Sequence, residues 1–99
     1  ATGLTERWLD GVNAPLVAEA NICMVLELRE EHHLAINGTQ LVIGEIVYLE
    51  CPDSALREDG AIDPEIAGTV ALSGLDSYHT TRRLRRMAYA KPELPPREL

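Results

Sequence analysis

Ninety-nine residues leave room for one domain or part of one, and none for a catalytic domain beside a regulatory one. A hydrophobic fraction of 45% with 25% charged residues excludes wholesale disorder, and no apolar run approaches the ~20 residues that span a bilayer. A formal net charge of −7 argues against nucleic acid as a partner, because phosphate contacts need clustered cations. Residues 1–20 open with a stretch expected to form a helical turn, capped by Thr5 and carrying Trp8 and Leu9, before a connector from Val12 to Pro15. From Asn21 to Cys51 the pattern changes to β. Ile22, Met24, Leu26 and Leu28 share one face by alternation, and Cys23, Val25, Glu27 and Arg29 share the other. Asn37-Gly38 predicts a tight hairpin turn in which both residues take positive φ. LVIGEIVYLEC then reads as the return strand, interrupted by Gly44, where a bulge or a close backbone approach is expected. A long antiparallel hairpin over 21–51 results.

Residues 52–79 predict turns at Pro52-Asp53-Ser54 and Arg57-Glu58-Asp59-Gly60, and a short helical turn with Asp63 as N-cap and Pro64 at its first position. Val70, Ala71 and Leu72 form a last short strand, followed by a closing loop. Residues 80–99 are basic and end in KPELPPREL, expected to be an extended arm. Residues 1–79 carry fourteen acids and three bases, a balance of −11, against +4 for residues 80–99. The basic segment meets an anionic ligand or surface, or it neutralises the acidic body. One hairpin and a few turns do not close a sheet, and one Trp, three Tyr and no Phe make a thin core. The strands therefore call for partners from further chain or from a second subunit.

Three segments carry a resemblance. VNAPLVAEANICMVLEL (12–28) enters a central strand through a proline-containing connector and a V-A-E triplet. LVIGEIVYLE (41–50) places Gly-Glu between apolar runs, and EDGAIDPEIAGTVALSGLDSYH (58–79) carries D-G-x-I-D-P and a closing loop with Gly and Tyr. In this order they resemble the C-terminal half of the FMN-binding split-barrel proteins of the flavin reductase-like family. The resemblance implies a mainly β fold: a partial split β-barrel of Greek-key type, completed by an N-terminal half, a dimer partner, or both. It implies a homodimer that transfers hydride from NADH or NADPH to bound FMN; cysteine usage points to the cytoplasm, and charge and hydropathy to no nucleic acid or membrane partner. The alternative is a non-catalytic split-barrel module for oligomerisation or ligand binding. The Arg and paired glycines that many relatives carry in the closing loop correspond here to Leu72 and Gly74-Leu75.

The resemblance also implies the site: Gly74, Tyr78 and His79 beside the flavin, His79 as the catalytic residue near the nicotinamide, and Arg82 and Arg83 for an anionic donor. Hydride transfer needs two rings held close and water excluded, not a strong acid or base, and histidine can donate to a ring carbonyl in either protonation state. Glu45, charged within an apolar strand, is read as lying near a flavin or, the preferred reading, facing an arginine across a dimer interface, with a solvent-facing position as the alternative. Adjacent strand residues point to opposite faces, so His32-His33 makes no metal site. No phosphate loop or G-x-S-x-G elbow surrounds Gly60, Gly68, Gly74, Ser73 or Ser77. Cys23 and Cys51, 28 residues apart without a CxxC spacing, are read as apolar thiols rather than as a disulfide, as a reducing compartment would leave them.

Overall fold

The computed structural model describes residues 2–99, and Ala1 lies outside the described residues. The N-terminal stretch is a small antiparallel pair, β1 (Glu6–Arg7) with β2 (Leu16–Val17), rather than the expected helical turn. Thr5 caps nothing: its N–H donates to both carboxylate oxygens of Glu19 at 3.0 Å, and its carbonyl accepts from Ala18 N–H at 2.8 Å. A single turn of helix is too short to hold itself, so partners brought back by the reversal at Gly11 (φ 77°) prevail.

The predicted hairpin is present as β3 (Cys23–Leu34) and β4 (Thr39–Glu50), paired antiparallel. Its turn differs from the two-residue form, because the Leu34↔Thr39 register leaves four residues in the loop. Only Gly38 is left-handed, at φ 67°, and its N–H reaches the Leu34 carbonyl at 2.9 Å. Asn37 instead accepts from the Thr39 N–H and hydroxyl with its side chain, at 3.2 and 2.6 Å, which stabilises the wider loop.

Two irregularities shape the ladder. Val25 opposes Tyr48 and Leu26 opposes Ile46, so Val47 is extra on β4; Leu28 opposes Gly44 and Glu30 opposes Ile43, so Arg29 is extra on β3. The bulge at Arg29 carries Glu30 and His32 onto the face of Glu27, since they oppose Ile43 and Leu41, which alternate with Glu45 on one side of β4. The other face presents Met24, Leu26, Leu28, Val42, Ile46 and Leu49, all roughly half-exposed. Gly44 has the close approach expected of it. A Cβ there would stand 2.9 Å from Leu26 Cδ2 and 3.0 Å from Leu26 Cβ, so its smallness is steric in origin.

Beyond the hairpin, a 3₁₀ turn spans Asp53–Ala55, and the Arg57–Gly60 turn closes by a 2.9 Å bond from Gly60 N–H to the Arg57 carbonyl. Asp63 caps the following turn as predicted, its Oδ1 accepting from Glu65 and Ile66 N–H at 3.0 and 3.4 Å. The last strand has a partner that sequence analysis left as loop: β5 (Val70–Ser73) pairs with β6 (Ser77–Thr80). Gly74, at φ 60°, lets residues 74–76 reverse the chain tightly enough for this hairpin. The C-terminal segment is not an extended arm either. It folds back on itself, with Met87 opposite Glu98, Ala88 N–H on the Arg97 carbonyl at 2.8 Å and Leu99 N–H on the Arg86 carbonyl at 2.9 Å. Its prolines occupy the intervening loop, where their missing N–H groups leave no ladder bond unmade.

The architecture is mainly β: among the described residues, three two-stranded antiparallel sheets that do not close, a partial barrel. Among the described residues, Leu16, Cys23, Ala55 and Ala67 are the buried apolar ones. A folded monomer of 10.9 kDa exposes about 5,600 Å². This chain exposes 8,707 Å², and its radius of gyration of 17.5 Å exceeds the ~13 Å of a compact 100-residue domain. The excess of roughly 3,000 Å² is the size of a large interface, and the apolar face of β3–β4 is left half-exposed. Both cysteines are free thiols, Cys23 buried and Cys51 half-buried. Among the described residues no helix is long and apolar enough to cross a membrane.

Candidate functional site

The residues singled out from sequence gather on the β5–β6 hairpin and the segment leaving it. Gly74 sits in the hairpin turn. Tyr78 lies opposite Leu72, and His79 opposite Ala71. His79 and Ser73 share a face, and the His79 Nε2 stands 2.8 Å from the Ser73 hydroxyl, which fixes the ring orientation. Tyr78, the neighbouring strand residue, points to the opposite face and is 72% exposed. The pair therefore presents one group to each face of the hairpin rather than two groups to one ligand surface.

The arginine run is divided. Arg83 is engaged twice: its guanidinium lies 3.2 Å from Asp63 Oδ2, and its backbone N–H donates to the Glu65 carboxylate. Arg86 pairs with Asp59. Arg82 and Arg85 make no ion pair among the described residues. Sequence analysis grouped Arg82 and Arg83 as equivalent; the structure leaves Arg82 available and ties Arg83 to its own chain. Part of the basic segment thus neutralises the acidic body, the simpler of its two expected roles.

Asp63 is the residue whose importance sequence reasoning missed beyond its capping role. Its side chain is 9% exposed and takes Arg57, Arg83 and two backbone N–H donors, so a buried carboxylate is fully satisfied. The signal was the D-G-x-I-D-P stretch itself, in which Arg57 precedes Asp63 by one tight turn. Asp63 N–H bonds the Ala55 carbonyl at 2.7 Å, and Asn21 Nδ2 bonds the Ala67 carbonyl at 2.8 Å, which roots this turn at the base of the long hairpin.

Glu45 does face an arginine, but within its own hairpin. Arg29, projected by the bulge, bridges Glu45 (Nε to Oε2, 2.6 Å) and Glu27 (3.1 Å), two carboxylates directly opposed across the ladder. Glu45 and Arg29 are each about half-exposed, so the pair lies on an open face of this chain. A second cluster lies at the hairpin base. Arg7 pairs with Glu50, and Tyr48 donates to Glu50 at 2.7 Å. The Tyr48 hydroxyl, then Arg7, hold the Glu50 carboxyl below its usual range, and Glu50 in turn raises Tyr48 and Arg7 above theirs. The two histidines at the far end point to opposite faces: His32 contacts Glu30, and His33 lies 3.4 Å from Gln40.

Along 89% of its length the chain superposes, at a TM-score of 0.84 and 48% identity, on a crystal structure described as a candidate flavin reductase with a split barrel domain, from Shewanella frigidimarina NCIMB 400. The chain is similar to the C-terminal half of a flavin reductase-like protein and has its split-barrel fold in part. It spans 44% of that protein's length, so the unclosed sheets are those of a barrel seen in part. No family model matches the chain, and no curated protein does. Toward a flavin, the singled-out residues on this chain offer suitable groups but divide them between the two faces of the β5–β6 hairpin. They supply a ring nitrogen at His79, an exposed aromatic at Tyr78 and a free cation at Arg82. Three hollows, in the folded-back tail, beside Arg57 and Arg86, and at the β2–β3 corner, do not include them.

Proposed function

We propose that this chain forms part of an FMN-dependent, flavin reductase-like oxidoreductase that acts as a cytoplasmic homodimer and takes hydride from NADH or NADPH. The observation that carries the reading is the 48% identity sustained over 89% of the chain to a protein described as a flavin reductase. Bound flavin would supply the chemistry, accepting two electrons with a proton and passing them on. His79 would donate a hydrogen bond at the edge of the reacting rings, oriented by Ser73, while Arg82 would meet the anionic part of the donor. Gly74 keeps the hairpin turn low beside the rings, and Tyr78 covers an aromatic surface on the other side of β6. The homodimer is supported by the half-exposed apolar face of β3–β4, and the cytoplasm by two free thiols.

The test is FMN titration of the protein at its natural length, followed by anaerobic mixing with NADH and with NADPH. A bound-flavin spectrum that bleaches with either donor is the expected result; flavin that binds but is reduced by neither favours the non-catalytic module. Light scattering that returns a monomer at micromolar concentration would overturn the homodimer.

A further inference from the structure

We infer that Asp63 is a positioning residue for the nicotinamide donor: through Arg83 it fixes the chain on either side of Arg82 and so aims that arginine at an anionic group of the donor. The inference rests on the function proposed above. Its basis is the way the segment leaving β6 is tied down. Thr80 closes the β5–β6 ladder opposite Val70, and the Thr81 hydroxyl reaches the Thr69 carbonyl at 3.4 Å. Two residues on, Arg83 is gripped by its backbone N–H on Glu65 and by its guanidinium on Asp63. Arg82 stands between these two anchors with no acidic partner of its own among the described residues.

An arginine held at both flanking residues loses less freedom on binding an anion than one on a loose arm, which is how preorganisation is turned into affinity. Residues 1–79 carry three arginines, each paired with carboxylates of its own chain, and of the basic segment's cations that have no ion pair among the described residues Arg82 is the one nearest β6. Arg82 lies three residues from His79, on the segment that continues β6. Asp63 is suited to the anchoring role because it is buried, is fixed by two backbone N–H donors and by Arg57, and still has an oxygen for Arg83. Its carboxylate cannot reach a ligand and acts only through the arginine.

The experiment is a double-mutant cycle on the flavin-loaded, natural-length protein, reading KM and kcat for NADH and NADPH and the affinity for FMN. Asp63→Asn keeps an oxygen for the capping bonds, since Asn is as good an N-cap as Asp, but removes the charge that holds Arg83. Arg82→Ala is expected to raise the donor KM about tenfold, the scale of one charge-assisted contact, with FMN affinity unchanged. Asp63→Asn should raise KM by a similar factor, and the double variant no further than Arg82→Ala alone. Arg83→Ala cuts the same clamp from the outside, leaves the Asp63–Arg57 pair in place, and should be equally non-additive with Arg82→Ala; it serves if Asp63→Asn does not fold. Factors that multiply in the double variants would overturn the positioning role, as would an unchanged KM in Arg82→Ala. Flavin that neither donor reduces in the unsubstituted protein would overturn the proposed function and this inference with it.

Discussion

Gly44→Ala tests the packing of the long hairpin most directly. The new methyl carbon would sit 2.9 Å from Leu26 Cδ2, 3.0 Å from Leu26 Cβ and 3.4 Å from the Glu27 carbonyl oxygen. Leu26 can swing its Cδ2 away, but its Cβ and the Glu27 carbonyl belong to the strand and move only if the ladder opens. Overpacking of this kind costs about 1–3 kcal/mol. Alanine also narrows the unfolded ensemble, which returns about 0.4–1 kcal/mol, and Gly44 is not left-handed, so no backbone strain is added. The net expectation is a loss of about 1–2 kcal/mol, read by urea unfolding followed by circular dichroism. The loss grows where the apolar face is covered in the assembly, because Leu26 then has nowhere to turn. In a Leu26→Ala background the Cδ2 clash disappears while the Cβ contact stays, so part of the penalty should be recovered. A Gly44→Ala protein as stable as the unsubstituted one would refute the steric account and leave the glycine without an explanation in the ladder.

Glu45→Gln should cost less than about 0.5 kcal/mol, as for an exposed ion pair, while Arg29→Ala should cost more, about 0.5–1 kcal/mol, because it leaves Glu27 directly opposite Glu45; the reverse order would show that Glu45 is buried in the assembly. Glu50 has a folded pKa below its unfolded one, so its contribution is present above the ordinary glutamate range and is lost as pH falls through the lowered value. Tyr48→Phe removes the leading cause of that shift and should flatten the acid side of the stability profile, and an unchanged profile in the variant would contradict the assignment. His79→Ala should slow anaerobic reduction of bound flavin roughly ten- to a hundredfold, equivalent to about 1.4–2.7 kcal/mol in the transition state, and leave FMN affinity intact. Equal reduction rates would make His79 a surface residue, and lost FMN would make it a cofactor holder.

The long hairpin was legible because alternation and a Gly at the turn speak locally, and the Asp63-Pro64 turn was legible because a cap and a proline are local signals too. The β1–β2 pair was not, since it depends on Glu19 coming back to Thr5 across fourteen positions, and a short-range cap looked sufficient. The β5–β6 pairing was hidden for a similar reason: Ser77 and Thr80 carry little apolar pattern, and only the left-handed Gly74 makes the reversal possible. At the candidate site, residue types pointed to Tyr78, His79 and the arginine run. Which arginine is free was not readable, because Asp63, Glu65 and Asp59 find their partners through the fold rather than through spacing.

The two bulges of the long hairpin behave like a pair of opposite dislocations. Val47 is inserted on one strand and Arg29 on the other, and the pairing sum that changes at the first is restored at the second: Cys23 meets Glu50 and Leu34 meets Thr39 on the same count. Strand lengths in this lineage are therefore coupled. Losing one inserted residue alone would rotate every side chain beyond it onto the wrong side of the sheet, sending Glu30 and His32 among the leucines. Losing both at once would leave the two ends of the hairpin in step and alter only the short stretch between them. Length variation among relatives should consequently appear at these two positions together, or outside the ladder in the four-residue loop, where an added residue displaces nothing.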